Sequence, residues 1–241
     1  MSTHAERLPR YKQLRQAGIE LNTKLGKTTS RSEMGEGGRK LGLLDGNTLV
    51  LETDDEIAVL MDFILHDVRR HGLNPIERYL QTSPPPEGSD EWVLLQSLRR
   101  SRFSIFAVKS VEKGVGVTVE DLLRGGEHFL VDVGFGSSAA AGMVFVMRVM
   151  EADGIGMTTG AALPLGKLPA AERRRLVKDI RDDFKGVDFA NMAPEEAGDL
   201  AADVLRFALE QGASQGISYV APEEVPPPKA KPARRRKKGG K

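Results

Sequence analysis

Residues 103–133 read FSIFAVKSVEKGVGVTVEDLLRGGEHFLVDV, and this stretch decides the fold class of the chain. It holds three short runs enriched in Val, Phe, Ile and Thr, residues common in β-strands, with glycine-containing turns between them. Two similar runs follow, MVFVMRVM at 143–150 and GIGMTTGAALP at 154–164. Five short strands at this spacing predict a small antiparallel β-barrel or a strongly curled sheet.

Helical patterns lie on both sides of these strands. Thr53 begins the sequence TDDE, a capping-box pattern, and predicts a helix that ends near Gly72. Asn74, directly before a proline, predicts the start of another helix. Apolar residues recur at helical spacing over 168–186 and 193–212. The predicted fold class is therefore α+β, with helices before and after the strands.

Shifts in composition divide the chain into five predicted segments. The segments are a basic, partly flexible N-terminal segment (1–40), a helical region with a Pro-rich loop at 81–89 (41–100), a small β-barrel-like domain (101–166), C-terminal helices (167–214) and a disordered basic tail (215–241). Within the first segment, residues 26–40 are rich in Gly, Ser, Thr and charge, which predicts a mobile loop.

The composition excludes several chemistries. The chain of 241 residues has no cysteine, so disulfides, thiolate zinc sites and a cysteine nucleophile are excluded. The first residues lack the apolar core of a secretory signal, and the longest apolar stretch is too short to span a bilayer. We therefore expect a cytoplasmic protein without membrane contact.

Charge is strongly segregated along the chain. Residues 1–40 carry a net charge of +5 and residues 221–241 carry +6, which leaves −10 for residues 41–220 in a chain of total charge +1. A basic head and a basic tail thus flank an acidic body. This layout points to an acidic partner more strongly than the total charge does.

Two glycine-containing motifs invite comparison with phosphate-binding loops. GKTT at residues 26–29 lacks the preceding glycine that a phosphate-binding loop requires, because Leu21 occupies that position. GFGSSAAAG at residues 134–142 lacks the G-x-G-x-x-G spacing and is followed by a strand pattern rather than a helix. We predict that residues 134–142 form a turn between strands and bind no nucleotide.

No catalytic residue, cofactor or metal site is predicted. Among the four histidines, His66 lies one helical turn after Asp62, so the pair could share a metal ion or form an oriented base. Both fall opposite the predicted apolar stripe of their helix, beside Arg69 and Arg70, and we expect them to face solvent. The residues of the stripe are Ile57, Leu60, Met61 and Ile64. The chain is accordingly expected to be non-enzymatic, although an active site dispersed over distant residues remains an alternative.

Candidate nucleic-acid contacts come from two basic groups. The first is an extended set in the tail, which can track a phosphate backbone without reading sequence; we call it the tail cations: Lys229, Lys231, Arg234, Arg235, Arg236, Lys237 and Lys238. The second is a helical stripe of Arg174, Lys178 and Arg181, for which pairing with neighbouring aspartates is equally expected. The alternative for the tail is a solubilising role.

The strand-rich region also resembles a known group of proteins. From about residue 100 to 165, the spacing of glycines and apolar residues in SRFSIFAVKSV, GVTVEDLLRGG and the following runs resembles a segment of uncharacterised bacterial proteins. Those proteins often carry a Cys-rich SEC-C metal-binding motif elsewhere. The resemblance implies a small β-domain and supplies no catalytic residues. Because this chain has no cysteine, the metal-binding role does not carry over.

The leading functional hypothesis is a non-enzymatic protein that binds nucleic acid or a ribonucleoprotein through its basic extensions, without sequence specificity. One alternative is a protein-binding adaptor with a solubilising tail. The other is an enzyme with a dispersed site, which a deep polar pocket joining residues 26–38 and 134–142 would favour.

Overall fold

The structure, a computed structural model, describes residues 4–216. Its helices are α1 (Leu8–Thr28), α2 (Arg31–Lys40), α3 (Asp54–Asp67), α4 (Pro75–Thr82), α5 (Asp90–Arg99), α6 (Val133–Ser138), α7 (Ala170–Asp183) and α8 (Pro194–Glu210). Its strands are β1 (Leu44–Asp45), β2 (Thr48–Leu49), β3 (Arg102–Glu112), β4 (Gly116–Asp121), β5 (Glu127–Val131), β6 (Met143–Ala152) and β7 (Ile155–Lys167). Short 3₁₀ turns stand at His4–Arg7 and Ala213–Gly216.

The five long strands form one antiparallel sheet in the order β5-β4-β3-β6-β7. The predicted strands and α+β class are confirmed, but the predicted barrel is wrong, because β5 pairs only with β4 and β7 pairs only with β6. The sheet still curls: a Cβ at Gly156 in β7 would lie 2.5 Å from the carbonyl oxygen of Phe129 in β5. Helices cover one face of the sheet, and the curl of the sheet buries a third apolar cluster on the other face, which includes Phe106, Val119 and Phe145.

The helix-covered face carries two apolar clusters. The first joins α3 and α8 to β3, β6 and β7, and includes Phe63, Val146 and Leu205. The second joins α1, α4 and α5 to the other end of β6 and β7, and includes Leu14 and Met150. Side chains alternate along a strand, so Arg148 of β6 projects toward the helices between Val146 and Met150. A charged residue therefore stands where the two clusters meet.

Local capping explains where several helices begin. The Thr53 hydroxyl accepts a hydrogen bond from the backbone N–H of Glu56 at 3.2 Å, as the sequence predicts. Asn74 and Glu77 form a complete capping box at the start of α4. The end of α3 differs from the prediction: the helix stops at Asp67, and Gly72 lies in the following turn with φ of 80°.

The mobile loop predicted for residues 26–40 is wrong. α1 continues to Thr28, and α2 begins directly after Ser30, which forms a capping box with Glu33. The glycines of α2 permit close packing: a Cβ at Gly37 would lie 2.6 Å from the Ile64 side chain of α3. A glycine-rich composition therefore reflects helix contact here and not chain mobility.

Between residues 4 and 216, every helix is too short or too polar to cross a membrane.

Candidate functional site

The predicted basic stripe lies on the exposed face of α7, and its three cations differ in their partners. Lys178 pairs with Asp182. Arg181 donates to the carbonyl of Leu123 at 2.8 Å and lies over the ring of Phe189, with 5.5 Å between its Cζ and the ring centroid. Arg174 is exposed and makes no hydrogen bond or ion pair within residues 4–216. The seven tail cations lie outside the described residues.

Residues 134–142, predicted to form a turn between strands, begin inside a short helix instead. Residues 133–138 make the six-residue helix α6, and the Asp132 carboxylate caps it by accepting from the N–H of Phe135 at 3.0 Å. Gly136 is required by a close approach, since a Cβ there would lie 2.8 Å from the backbone nitrogen of Gly116. The prediction that glycine serves geometry in this segment is confirmed at this position.

The expectation that Asp62 and His66 face solvent is wrong. The side chain of His66 is 6% exposed and that of Asp62 is 11% exposed, with 3.7 Å between His66 Nε2 and Asp62 Oδ1. α3 is packed on several sides by the sheet, α2, α4 and α8, so it has a narrow solvent face. Ile57, assigned to the core stripe, is 46% exposed instead.

A cavity of about 460 Å³ lies beside this pair, between α1, α3 and α5 on one side and β6 and β7 on the other. Its wall is mainly apolar: Leu14, Ile19, Ala58, Met61, Leu65, Leu94, Leu98, Met150, Met157 and Ala161. Its polar lining consists of Arg15, Asn22, Thr23, Asp62, His66 and Thr159. Asn22, Thr23 and Ile19 are exposed, so the cavity opens to solvent beside the second half of α1.

A buried ionic cluster adjoins the inner wall of the cavity. Arg148 of β6 donates from Nε to Asp62 Oδ2 at 3.1 Å and from its terminal nitrogen to Asp67. Its guanidinium also lies 5.7 Å from the ring centroid of Phe103. The Nδ1 atom of His66 lies 3.2 Å from the hydroxyl of Ser101. The cluster thus joins α3, the sheet and the end of α5.

Burial sets the protonation of this cluster. It lowers the pKa of His66 to about 3, an effect that the positive charge of Arg148 reinforces and the charge of Asp62 opposes. Burial also raises the pKa of Asp67 to about 6, against the stabilising charge of Arg148. His66 is therefore neutral at pH 7, so it adds no positive charge to the cavity wall.

Two polar groups of the cavity wall have few partners. The Thr159 side chain is 9% exposed, and its hydroxyl has no hydrogen-bond partner within residues 4–216. Arg15 donates a hydrogen bond from Nη1 to the carbonyl of Thr158 at 3.2 Å and also interacts with the hydroxyl of Tyr11. It forms no ion pair with any carboxylate of the described chain, whereas Arg10 on the same helix pairs with two, Asp90 and Asp153.

The described residues contain no cluster of His, Asp and Glu side chains suited to a metal ion. A site that combines an apolar wall with isolated polar groups is instead suited to a small organic molecule.

The model of a family of unknown function, DUF7986, matches residues 5–187, about three quarters of the chain. The chain belongs to this family. The DUF7986 match includes every residue that lines the cavity and the whole ionic cluster, and it ends before α8 and the tail cations. No curated protein and no solved structure matches the chain.

Most of this site was not predicted from the sequence. Arg148 stands in the middle of an apolar strand pattern, MVFVMRVM, and a lone arginine at an inward position of a strand is the signal that could have identified it. Arg15, Ser101 and Thr159 have no such signal, because their neighbours in the site come from distant parts of the chain. The cavity wall contains no residue of 26–38 or 134–142, the two segments whose joining in a deep polar pocket would favour the enzyme alternative.

Proposed function

We propose that the protein binds a small, largely apolar organic molecule in the cavity between α1, α3, α5, β6 and β7. A volume of about 460 Å³ falls in the usual range for small-molecule sites. The wall combines leucines with three methionines, whose flexible side chains adapt to irregular ligand shapes.

Gly18 is the observation that carries this proposal. It stands inside α1, lines the cavity, and a Cβ at this position would meet no atom within 4 Å. Gly18 is half-exposed, and glycine inside a helix costs about 1 kcal/mol relative to alanine. A residue that is unfavourable for its helix at the mouth of a cavity is understandable if it keeps the entrance open for a ligand.

The test uses N-phenyl-1-naphthylamine, a neutral apolar dye whose fluorescence rises in apolar surroundings. We expect saturable binding to the full-length protein. Gly18→Leu fills the cavity and should weaken dye binding at least tenfold. Gly35→Leu is the matched control, because Gly35 is also helical with nothing within 4 Å of its Cβ but does not line the cavity.

Both leucine substitutions should raise the stability of their helix by about 0.8 kcal/mol, so unfolding cannot explain a loss of binding by Gly18→Leu. Absence of saturable dye binding to the wild type would contradict the proposal. Equal dye binding by the two variants would contradict it as well.

We also propose, as a second candidate function, that the tail cations bind nucleic acid or a ribonucleoprotein without sequence specificity. The segregated charge of the sequence favours it, with +6 on residues 221–241. Several cations of the basic head, by contrast, already pair with carboxylates of the acidic body: Arg10 with Asp90 and Asp153, Lys24 with Glu91, and Lys40 with Asp199.

A salt titration of single-stranded DNA binding tests this second function. The affinity should fall steeply with salt, because each phosphate contact releases counterions. Replacing the seven tail cations by glutamine keeps the tail length and should abolish most of the binding. Replacing Arg174, Lys178 and Arg181 by glutamine measures the contribution of α7 separately. Binding that is insensitive to salt, or unchanged in the tail variant, would contradict this function.

A further inference from the structure

We infer that the cavity selects an organic carboxylate, an amphiphile whose apolar body lies inside the cavity and whose anionic head binds Arg15. This inference rests on the proposed function of the cavity as a small-molecule site, and it assigns the chemical class of the ligand.

Arg15 has unused hydrogen-bonding capacity. A guanidinium carries five N–H donors in a fixed planar arrangement, and the contacts of Arg15 with the Thr158 carbonyl and the Tyr11 hydroxyl leave several of them free. No carboxylate of residues 4–216 lies within ion-pair distance of it. An arginine that is partly buried on a cavity wall without an anionic partner is suited to bind a carboxylate with two parallel hydrogen bonds.

Arg15 is held in place by the sheet. Its guanidinium lies over Gly160 of β7, where a Cβ would be 3.5 Å from Nη1 and 3.6 Å from Nη2. Gly160 has φ of 115°, a conformation that favours glycine, so the strand presents bare backbone beneath the guanidinium. A guanidinium fixed against a strand loses less conformational entropy when it binds an anion.

The other charged side chain of the wall, Asp62, is already paired, because it accepts a hydrogen bond from Arg148 at 3.1 Å. Asp67, which also binds Arg148, does not line the cavity. His66 is neutral, as described above. Arg15 is thus the charged wall residue that remains available, and its sign selects an anion.

The positions of the wall residues give the orientation of the ligand. Arg15 stands on the same helix as Asn22 and Thr23, which are exposed where the cavity opens. Met61, Met150 and Met157 supply apolar wall. A single-chain carboxylate would place its head against α1 and its hydrocarbon body against the methionines.

Displacement of N-phenyl-1-naphthylamine by octanoate, octanol and octylamine at pH 7.5 tests the assignment, because the three probes share a chain and differ in head charge. Octanoate should displace the dye at a concentration at least tenfold lower than octanol, and octylamine should be the weakest. Arg15→Gln should remove the preference for octanoate, measured as the ratio of the octanoate and octanol concentrations that displace half of the dye. Arg15→Lys should restore part of the preference, and Lys12→Gln, an exposed cation of α1 outside the cavity, should behave as wild type.

The outcomes separate the two proposals. Dye binding with equal displacement by octanoate and octanol would overturn the carboxylate assignment and leave the cavity function intact. A preference for octylamine that Asp62→Asn abolishes would overturn the carboxylate assignment and would instead indicate a basic ligand bound by Asp62. Absence of dye binding would overturn the cavity function itself.

Discussion

Arg148 donates a hydrogen bond from Nε to Asp62 at 3.1 Å, and this contact joins the sheet to α3 at the boundary between two apolar clusters. Both side chains are nearly inaccessible to solvent, at 6% and 11% exposure. Charges buried this deeply are tolerated when they are paired and hydrogen-bonded. The pair therefore fixes how α3 sits on the sheet, and α3 in turn forms one wall of the cavity.

Removing Arg148 should be strongly destabilising. Arg148→Met leaves two buried carboxylates, Asp62 and Asp67, without their cation, and we expect a loss of about 3–5 kcal/mol in the free energy of unfolding. Urea denaturation at pH 7 measures this loss. Lys178→Gln, which breaks an exposed ion pair, should leave the unfolding midpoint unchanged.

The triple variant Arg148→Met, Asp62→Leu, Asp67→Leu provides a second check. Replacing a whole buried ionic cluster by apolar residues is often neutral, so this variant should recover most of the stability that Arg148→Met loses. A triple variant as unstable as the single one would show that packing, and not an unpaired buried charge, causes the loss.

His66 should make the protein less stable at acidic pH. Its pKa is lowered to about 3 by burial, so between pH 6.5 and pH 3 the unfolded chain binds a proton that the folded chain does not. His66 does not reduce the free energy of unfolding above pH 6.5, and the reduction grows as pH falls from 6.5 to 3. Relative to His66→Gln, wild type should lose about 1.4 kcal/mol per pH unit between pH 6 and pH 4. Urea denaturation at successive pH values measures this difference, which should be constant above pH 7.

Asp67 should produce the opposite slope. Burial raises its pKa to about 6, so between pH 3.8 and pH 6 the folded chain holds a proton that the unfolded chain has released. Its contribution is largest below pH 3.8 and is lost as pH rises through pH 6. Relative to Asp67→Asn, wild type should lose stability as pH increases from 4 to 6. A parallel pair of profiles for wild type and Asp67→Asn would contradict this prediction.

A side chain at position 136 should destabilise the protein. A Cβ there would lie 2.8 Å from the nitrogen of Gly116 and 2.9 Å from that of Val115, both backbone atoms of the turn into β4. We expect Gly136→Ala to cost about 1–3 kcal/mol, because the backbone must shift. Gly35→Ala, at a helical position with open space, should instead stabilise by about 1 kcal/mol. Thermal unfolding of the two variants distinguishes these effects.

Asn74 should contribute more than an ordinary helix cap. Its Oδ1 accepts from the N–H of Glu77, and its Nδ2 donates to the buried carbonyl of His66, each at 2.9 Å. Asn74→Ala should cost about 2–3 kcal/mol, more than the roughly 1 kcal/mol of a typical cap, because the His66 carbonyl loses its partner. Asn74→Asp keeps the cap but not the donor, so it should recover part of this loss. Chemical denaturation of both variants provides the comparison, and full recovery by Asn74→Asp would limit the role of Asn74 to capping.

Two of the wrong predictions, the mobile loop at α2 and the exposure of His66, share one physical origin. The glycines of α2 looked like a loop because local propensity treats glycine as flexible, whereas Gly37 is needed where α2 contacts Ile64 of α3. His66 looked exposed because helical periodicity assumes one buried face, whereas α3 is packed on several sides. Both errors concern contacts between residues far apart in the chain.

The strands between residues 102 and 167 and the helix starts at Thr53 and Asn74 could be predicted from neighbouring residues. Side-chain alternation and helix capping depend on residues a few positions apart, so the local sequence specifies them. Long-range packing is responsible for the open sheet, for the pairing of Arg148 with Asp62 and Asp67, and for the cavity that Gly18, Arg15 and Thr159 share. Those features depend on how α1, α3 and the sheet pack together, and packing is a property of the whole chain.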